Sequence, residues 1–179
     1  FSARSSAATR ALTNLAKPTI TMINGFCIGG GLAIALCTDI RICEPTSRFG
    51  IPAARLGLGY RFDGVRALMN IVGPSVAKEI LFTARHFTAE EALRIGLVNR
   101  VVDAGELESV VRDYARMIAE NAPMTVAAAK LAVNEAVKDP AARDVAAVDA
   151  AVAACFQSDD FTEGRTAFME KRRPVFKGR

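Results

Sequence analysis

The chain has 179 residues, 51% of them apolar and 23% charged, with a mean hydropathy of +0.21. That excludes intrinsic disorder and is enough to build one domain's core. No stretch approaches the roughly 20 apolar residues of a membrane-spanning helix. The net charge of +4 (pI near 9.1) is scattered apart from Lys171-Arg172-Arg173 with Lys177 and Arg179, and lacks the clustering and interleaved aromatics of a nucleic-acid surface.

In chain order, residues 1–17 carry Arg4, Arg10 and Lys17 with no acid and read as a solvated helix ending before Pro18; the composition would also suit a transit peptide. Thr19–Asn24 is a β-branched run and a predicted strand, and Asn24-Gly25 marks a turn. After Phe26-Cys27-Ile28 come three glycines, Gly29-Gly30-Gly31, then a small apolar stretch, Leu32–Cys37, expected as a buried helix. Asp39–Glu44 and Arg48–Ile51 read as strands, so the first third alternates strand, helix, strand in the α/β manner. Asp63 is placed to N-cap a helix towards Ile71, broken by Gly73-Pro74 and resumed over Ser75–Phe82. Thr88 and Glu91 spell a capping box for Ala89–Ile95, stopped by Gly96. Leu97–Val102 is the last predicted strand, followed by helices over Glu106–Asn121, Thr125–Val137, a long one with Pro140 at its first position, and Phe161–Lys171.

The four cysteines (Cys27, Cys37, Cys43, Cys155) have no CxxC spacing. They argue against zinc or a redox pair, and three of them sit in apolar segments and read as reduced core residues, so no metal is expected. His86, the one histidine, falls in a polar loop without a serine or cysteine motif, against a nucleophilic triad. The triple glycine is the strongest local signal. Its open N–H groups at a helix start suit a phosphate or a carbonyl developing negative charge. A tight turn with close helix packing explains it equally well. A dinucleotide fingerprint fails because Ile34 stands where the third glycine is needed.

The stretch KPTITMINGFCIGGGLAIALCTDIRICEPTSRFG resembles the core of the crotonase superfamily, the enoyl-CoA hydratase/isomerase family. Ile80-Leu-Phe-Thr83, Ala89-Glu-Glu-Ala92, Gly96-Leu-Val-Asn99 and the ending DFTEGRTAFMEKRRPVFK agree with the later family pattern. The resemblance runs from about Lys17 to the C-terminus and implies an α/β fold: a ββα-superhelix core over residues 1–103 and a helical trimerisation region over 104–179. It matches the C-terminal two-thirds of the family domain, so a further N-terminal portion is expected upstream of Phe1. It implies an acyl-CoA thioester as substrate, coenzyme A entering as part of it with no separate cofactor, and a homotrimer or dimer of trimers. It also implies no nucleic acid or membrane partner, and a cytoplasmic setting, or the mitochondrial matrix in a eukaryote.

The family holds the thioester carbonyl in an oxyanion hole with one donor at the middle glycine, here Gly30, and a second in a loop before this chain begins. Such a donor contributes about 3 kcal/mol to an enolate-like state. The hydratase glutamate positions fall on Ala33 and Ala53, and a further family acid falls on Arg61. Alanine supplies neither the base nor the acid that hydration needs. The segment Leu56-Gly-Leu-Gly-Tyr60-x-x-x-Gly64 is similar to the methylmalonyl-CoA decarboxylase branch, where a tyrosine at the position of Tyr60 orients the departing carboxylate. Gly30 and Tyr60 are thus the candidate catalytic residues. Gly29, Ala33, Ala53, Leu56 and Lys171, the last resembling a lysine that reaches CoA phosphates, are candidates for binding. The implied function is an acyl-CoA enzyme that stabilises a thioester enolate. The alternatives are decarboxylase-like chemistry or a non-catalytic acyl-CoA-binding subunit.

Overall fold

The computed structural model describes residues 2–179, with side chains from Ala7 onward. The chain divides into two units, residues 1–15 with 19–112 and residues 16–18 with 113–179.

The first unit opens with helix α1 (Ser2–Thr13), its described side chains mostly exposed. Strand β1 (Ile20–Ile23) follows, and the chain turns at Gly25 (φ 74°) directly into β2 (Phe26–Ile28), a strand the sequence reading passes over. Helix α2 spans Gly30–Ala35, so it begins inside the triple glycine, two residues earlier than expected. Strands β3 (Ile40–Cys43) and β4 (Arg48–Gly50) repeat the pair. β3 runs parallel to β1 with Ile20 opposite Ile40, and β4 parallel to β2 with Phe26 opposite Arg48. Each winding therefore adds one strand to each of two sheets and then a helix, the ββα superhelix. Glu44 secures the corner: its buried carboxylate accepts the Gly25 amide (3.0 Å), the Asn24 side-chain amide (3.2 Å) and the Thr46 hydroxyl (2.7 Å).

After a 3-10 turn (Pro52–Leu56) comes α3 (Phe62–Thr83), two helical segments broken at Gly73 (φ 75°, ψ 167°). Pro74 then starts the second segment at the position where its missing N–H costs nothing. Asp63 does not cap this helix. Arg61 occupies the N-cap without a side-chain capping bond, which puts Asp63 inside the first turn. Strand β5 (Phe87–Thr88) lies antiparallel to β4. The Thr88–Glu91 capping box forms as expected at the head of α4 (Ala89–Arg94). Of the predicted Leu97–Val102 strand only β6 (Arg100–Val101) pairs, beside β3; Leu97 and Val98 send their amides to the Ala92 carbonyl (2.8 and 3.3 Å) and close the turn instead. The core gathers Leu32, Phe49, Ile51, Leu68, Ile80 and Leu97, all at most 1% exposed. Each contributes about 1.5–3 kcal/mol by burial.

Helix α5 (Leu107–Ala119) leads into the second unit, which holds α6 (Pro123–Ala136), α7 (Val145–Gln157) and α8 (Asp159–Glu170). Pro140 does not open α7. It starts a short 3-10 turn, and the buried Glu135 captures the Asp144 amide (2.8 Å), so that Asp144 becomes the cap of α7. Ser158 caps α8 through the Phe161 amide (3.1 Å). The C-terminal tail folds back on α8: Asp160, 3% exposed, accepts the amides of Lys177 (2.7 Å) and Gly178 (2.8 Å). Glu163 takes Arg172 in a two-pronged pair (2.6 and 2.9 Å) and the Val175 amide (2.8 Å). An apolar cleft of about 740 Å³ opens in this unit, lined among others by Ala128, Ala132, Cys155, Phe156, Phe161 and Phe176.

Candidate functional site

The parallel register of β2 and β4 sets the site. Ile28 lies opposite Gly50, so the segments that follow, Gly29–Ala33 and Ile51–Leu56, leave their sheet at the same end. The Gly29 N–H donates to the Gly50 carbonyl (2.8 Å), and a methyl built on Gly29 would touch Pro52 Cδ at 3.8 Å. Gly29 adopts φ 54°, ψ −113°, a conformation open to glycine and hostile to a side chain. Its amide is thus spent on the fold, and its part is to turn the chain into α2.

Gly30 and Gly31 differ. The first bond of α2 runs from the Ala33 amide to the Gly29 carbonyl (2.9 Å), which leaves the Gly30, Gly31 and Leu32 amides without an acceptor in the helix. Both residues are exposed, neither has positive φ, and a methyl built on either meets nothing within 4 Å. Packing within the chain therefore does not require glycine there. Of the two explanations the sequence leaves open, the tight turn accounts for Gly29, and open space beside a free amide describes Gly30.

Ala33 is half-buried on the next turn, its carbonyl accepting from the Cys37 thiol (3.2 Å). Ala53 is 6% exposed and belongs to the core cluster. Tyr60 packs half-buried against that cluster, its ring over Gly64 in the first turn of α3. Burial, and after it the nearby Cys37, raises the Tyr60 phenol above its ordinary range, so it stays a protonated donor at neutral pH. Among the described residues its hydroxyl has no hydrogen-bond partner. Leu56 is 71% exposed, with Leu58 and Phe62 also open beside it. Lys171 lies in the second unit, exposed, ending α8 in a left-handed conformation (φ 53°). His86 is exposed and meets the Phe26 ring edge-on at 6.2 Å.

Burial drives the Cys27 and Cys43 thiols up to about 11, which keeps them neutral and removes them as nucleophiles. Among the described residues no group of three His, Cys, Asp or Glu is placed to hold a metal, and no helix is long and apolar enough to cross a membrane. One residue escaped the sequence reading. Arg41, on β3, is 5% exposed and buries its guanidinium, with burial lowering its pKa. Nε donates to the Leu97 carbonyl (2.8 Å), and Nη1 to the carbonyls of Thr38 (2.7 Å) and Ala35 (3.4 Å) at the end of α2. The only local signal was a cation within a short apolar strand.

The superhelix of paired strands is the crotonase fold, and the chain belongs to the enoyl-CoA hydratase/isomerase family, matching it over residues 1–179. It is 42% identical to the short-chain-enoyl-CoA hydratase of Clostridium acetobutylicum over 164 residues, 92% of this chain and 63% of that protein. It is 38% identical to the carnitinyl-CoA dehydratase of Escherichia coli O157:H7, covering 93% of this chain and 65% of that one. The crystal structure of an enoyl-CoA hydratase from Bacillus anthracis superposes with a TM-score of 0.91 at 30% identity, over 99% of this chain and 69% of that one. The chain thus spans a little under two-thirds of the length of these curated relatives.

Proposed function

We propose that this chain forms part of an acyl-CoA enzyme that stabilises a thioester enolate, with the Gly30 amide as one donor to the carbonyl oxygen. Coenzyme A enters with the substrate, and no separate cofactor takes part. The observation that carries the reading is a Gly30 amide with no acceptor in its helix, at an exposed glycine that packing does not explain. The relatives are named for hydration and dehydration of CoA esters. Here Ala33 and Ala53 offer no carboxylate for moving protons to or from water, so simple hydration is not the expected reaction.

Decarboxylation needs less of the protein. The bond from the α-carbon to the carboxylate breaks, carbon dioxide leaves, and the electron pair passes to the thioester as an enolate, which takes a proton from water. The protein stabilises the oxygen and holds the carboxylate out of the thioester plane. Tyr60, a neutral donor with a free hydroxyl, suits the second task. Leu56 with its exposed apolar neighbours suits the acyl group, and Lys171 the CoA phosphates, within a homotrimer or dimer of trimers. The buried methyl of Ala53 favours one rival, a non-catalytic acyl-CoA-binding subunit.

The test is turnover of crotonyl-CoA, malonyl-CoA and methylmalonyl-CoA by purified protein. Decarboxylation of a malonyl thioester, abolished by Tyr60→Phe, supports the reading. Robust crotonyl-CoA hydration sinks the decarboxylase reading, and tight binding without turnover of any of the three establishes the binding subunit.

A further inference from the structure

Helix α2 has six residues, about 9 Å of rise. Its N-terminal end, Gly30 and Gly31, is exposed and touches nothing through side chains. The bond from the Gly29 N–H to the Gly50 carbonyl (2.8 Å) holds the point where the chain enters α2, and the angle of the rod from that point is set by the rest of the helix. Leu32, Ala35 and Leu36 bury into the core, but apolar burial has no direction and tolerates a tilt. Hydrogen bonds fix an angle. At the C-terminal end those bonds come from Thr38, whose hydroxyl donates to the Ala35 carbonyl (2.8 Å) and lies 2.6 Å from the Thr21 hydroxyl on β1, and from Arg41.

We propose that Arg41 is a positioning residue for the carbonyl-binding amide: its guanidinium clamps the C-terminal end of α2 to the turn after α4 and so aims the Gly30 N–H at the opposite end. The proposal rests on the reading of Gly30 given above. The fork joins Ala35 and Thr38, which close α2, to Leu97, 56 positions further along the chain. Its own backbone is fastened to the same turn: the Arg41 amide donates to Asn99 Oδ1 (2.8 Å), and the Asn99 amide donates to the Arg41 carbonyl (2.8 Å). The anchor is thus held on both sides of its Cα. A tilt of about 6° at this end displaces the far end of a 9 Å rod by about 1 Å. A displacement of that size costs about 100-fold in rate. Lysine cannot replace the fork, because it is a single point donor on a flexible stem.

The experiment uses purified protein with crotonyl-CoA labelled with ¹³C at the thioester carbonyl, read by difference infrared spectroscopy. In the wild type the bound carbonyl stretch moves to lower frequency. Arg41→Met and Arg41→Lys are expected to bind crotonyl-CoA within about threefold of wild type and to lose most of that shift. Turnover of whichever thioester the wild type processes falls about 10- to 100-fold with little change in KM. The spectrum reports only folded, liganded protein, so a fall in yield does not blur it, and the lysine variant serves if methionine prevents folding. A full shift in the variants, with only the melting temperature lowered, makes Arg41 merely structural and overturns the proposal while leaving the Gly30 reading intact. An unshifted carbonyl in the wild type overturns the Gly30 reading and the proposal with it.

Discussion

Gly30→Ala separates function from stability because the two should move in opposite directions. Gly30 has no positive φ, and a methyl built there finds no atom within 4 Å. Alanine therefore fits without strain and reduces the freedom of the unfolded chain, which stabilises by about 0.4–1 kcal/mol. For a chain of this size that raises the melting temperature by about 1–4 °C. The same methyl occupies the space beside the amide that a thioester must enter. A carbonyl oxygen has to come within about 2.7–3.1 Å of the nitrogen, and a retreat approaching 1 Å costs about 100-fold in turnover. Calorimetry with steady-state assays of the thioester substrate reads both quantities on one preparation. Unchanged turnover would refute the placement of the carbonyl at Gly30. A melting temperature several degrees lower would refute the open space.

Three further outcomes follow from named contacts. In Gly64→Ala the new methyl starts 2.7 Å from Tyr60 Cε1 and must drive the ring back to ordinary contact; helix propensity gains about 1 kcal/mol, so melting holds near the wild-type value while turnover falls, and unimpaired turnover would leave Tyr60 as packing alone. In Gly50→Ala the methyl meets the main-chain oxygen of Arg85 at 2.9 Å and His86 Cδ2 at 3.3 Å; overpacking against backbone costs about 1–3 kcal/mol, read as a lower urea midpoint, and a midpoint equal to wild type would show that β4 yields freely. The third concerns acid. Arg172 first, then the Val175 amide, hold the Glu163 carboxyl down at about 2 against an ordinary 4.5. A depressed folded-state pKa stabilises the tail above pH 4.5, and that contribution fades as pH falls towards 2. Protection of the Val175 amide against hydrogen exchange, taken relative to its intrinsic rate at each pH, should fall across that window, and Glu163→Gln should lower it at neutral pH as well. Exchange that stays slow in the variant would show that the tail is held without Glu163.

The elements legible in the sequence are those decided by neighbours a few positions apart. The Thr88–Glu91 box, the break at Gly73-Pro74 and the α/β alternation each depend on such short-range chemistry. The misplaced boundaries have longer-range causes. Pro140 has the right chemistry to start a helix, yet α7 begins after Asp144 because Glu135, nine positions back, takes the Asp144 amide. The motif around Gly29–Gly31 was readable as text and pointed to the family, and the alanines at 33 and 53 carry the proposed departure from its hydratases. What text could not supply is which glycine turns the chain and which leaves an amide free. That depends on the pairing of Ile28 with Gly50 across 22 positions, which spends the Gly29 amide and brings Pro52 against it. Nor does the sequence reveal that a strand arginine reaches carbonyls both 6 positions back and 56 positions ahead. Local propensity is written residue by residue, whereas register and burial are properties of pairs far apart in the chain, and only the folded structure selects them.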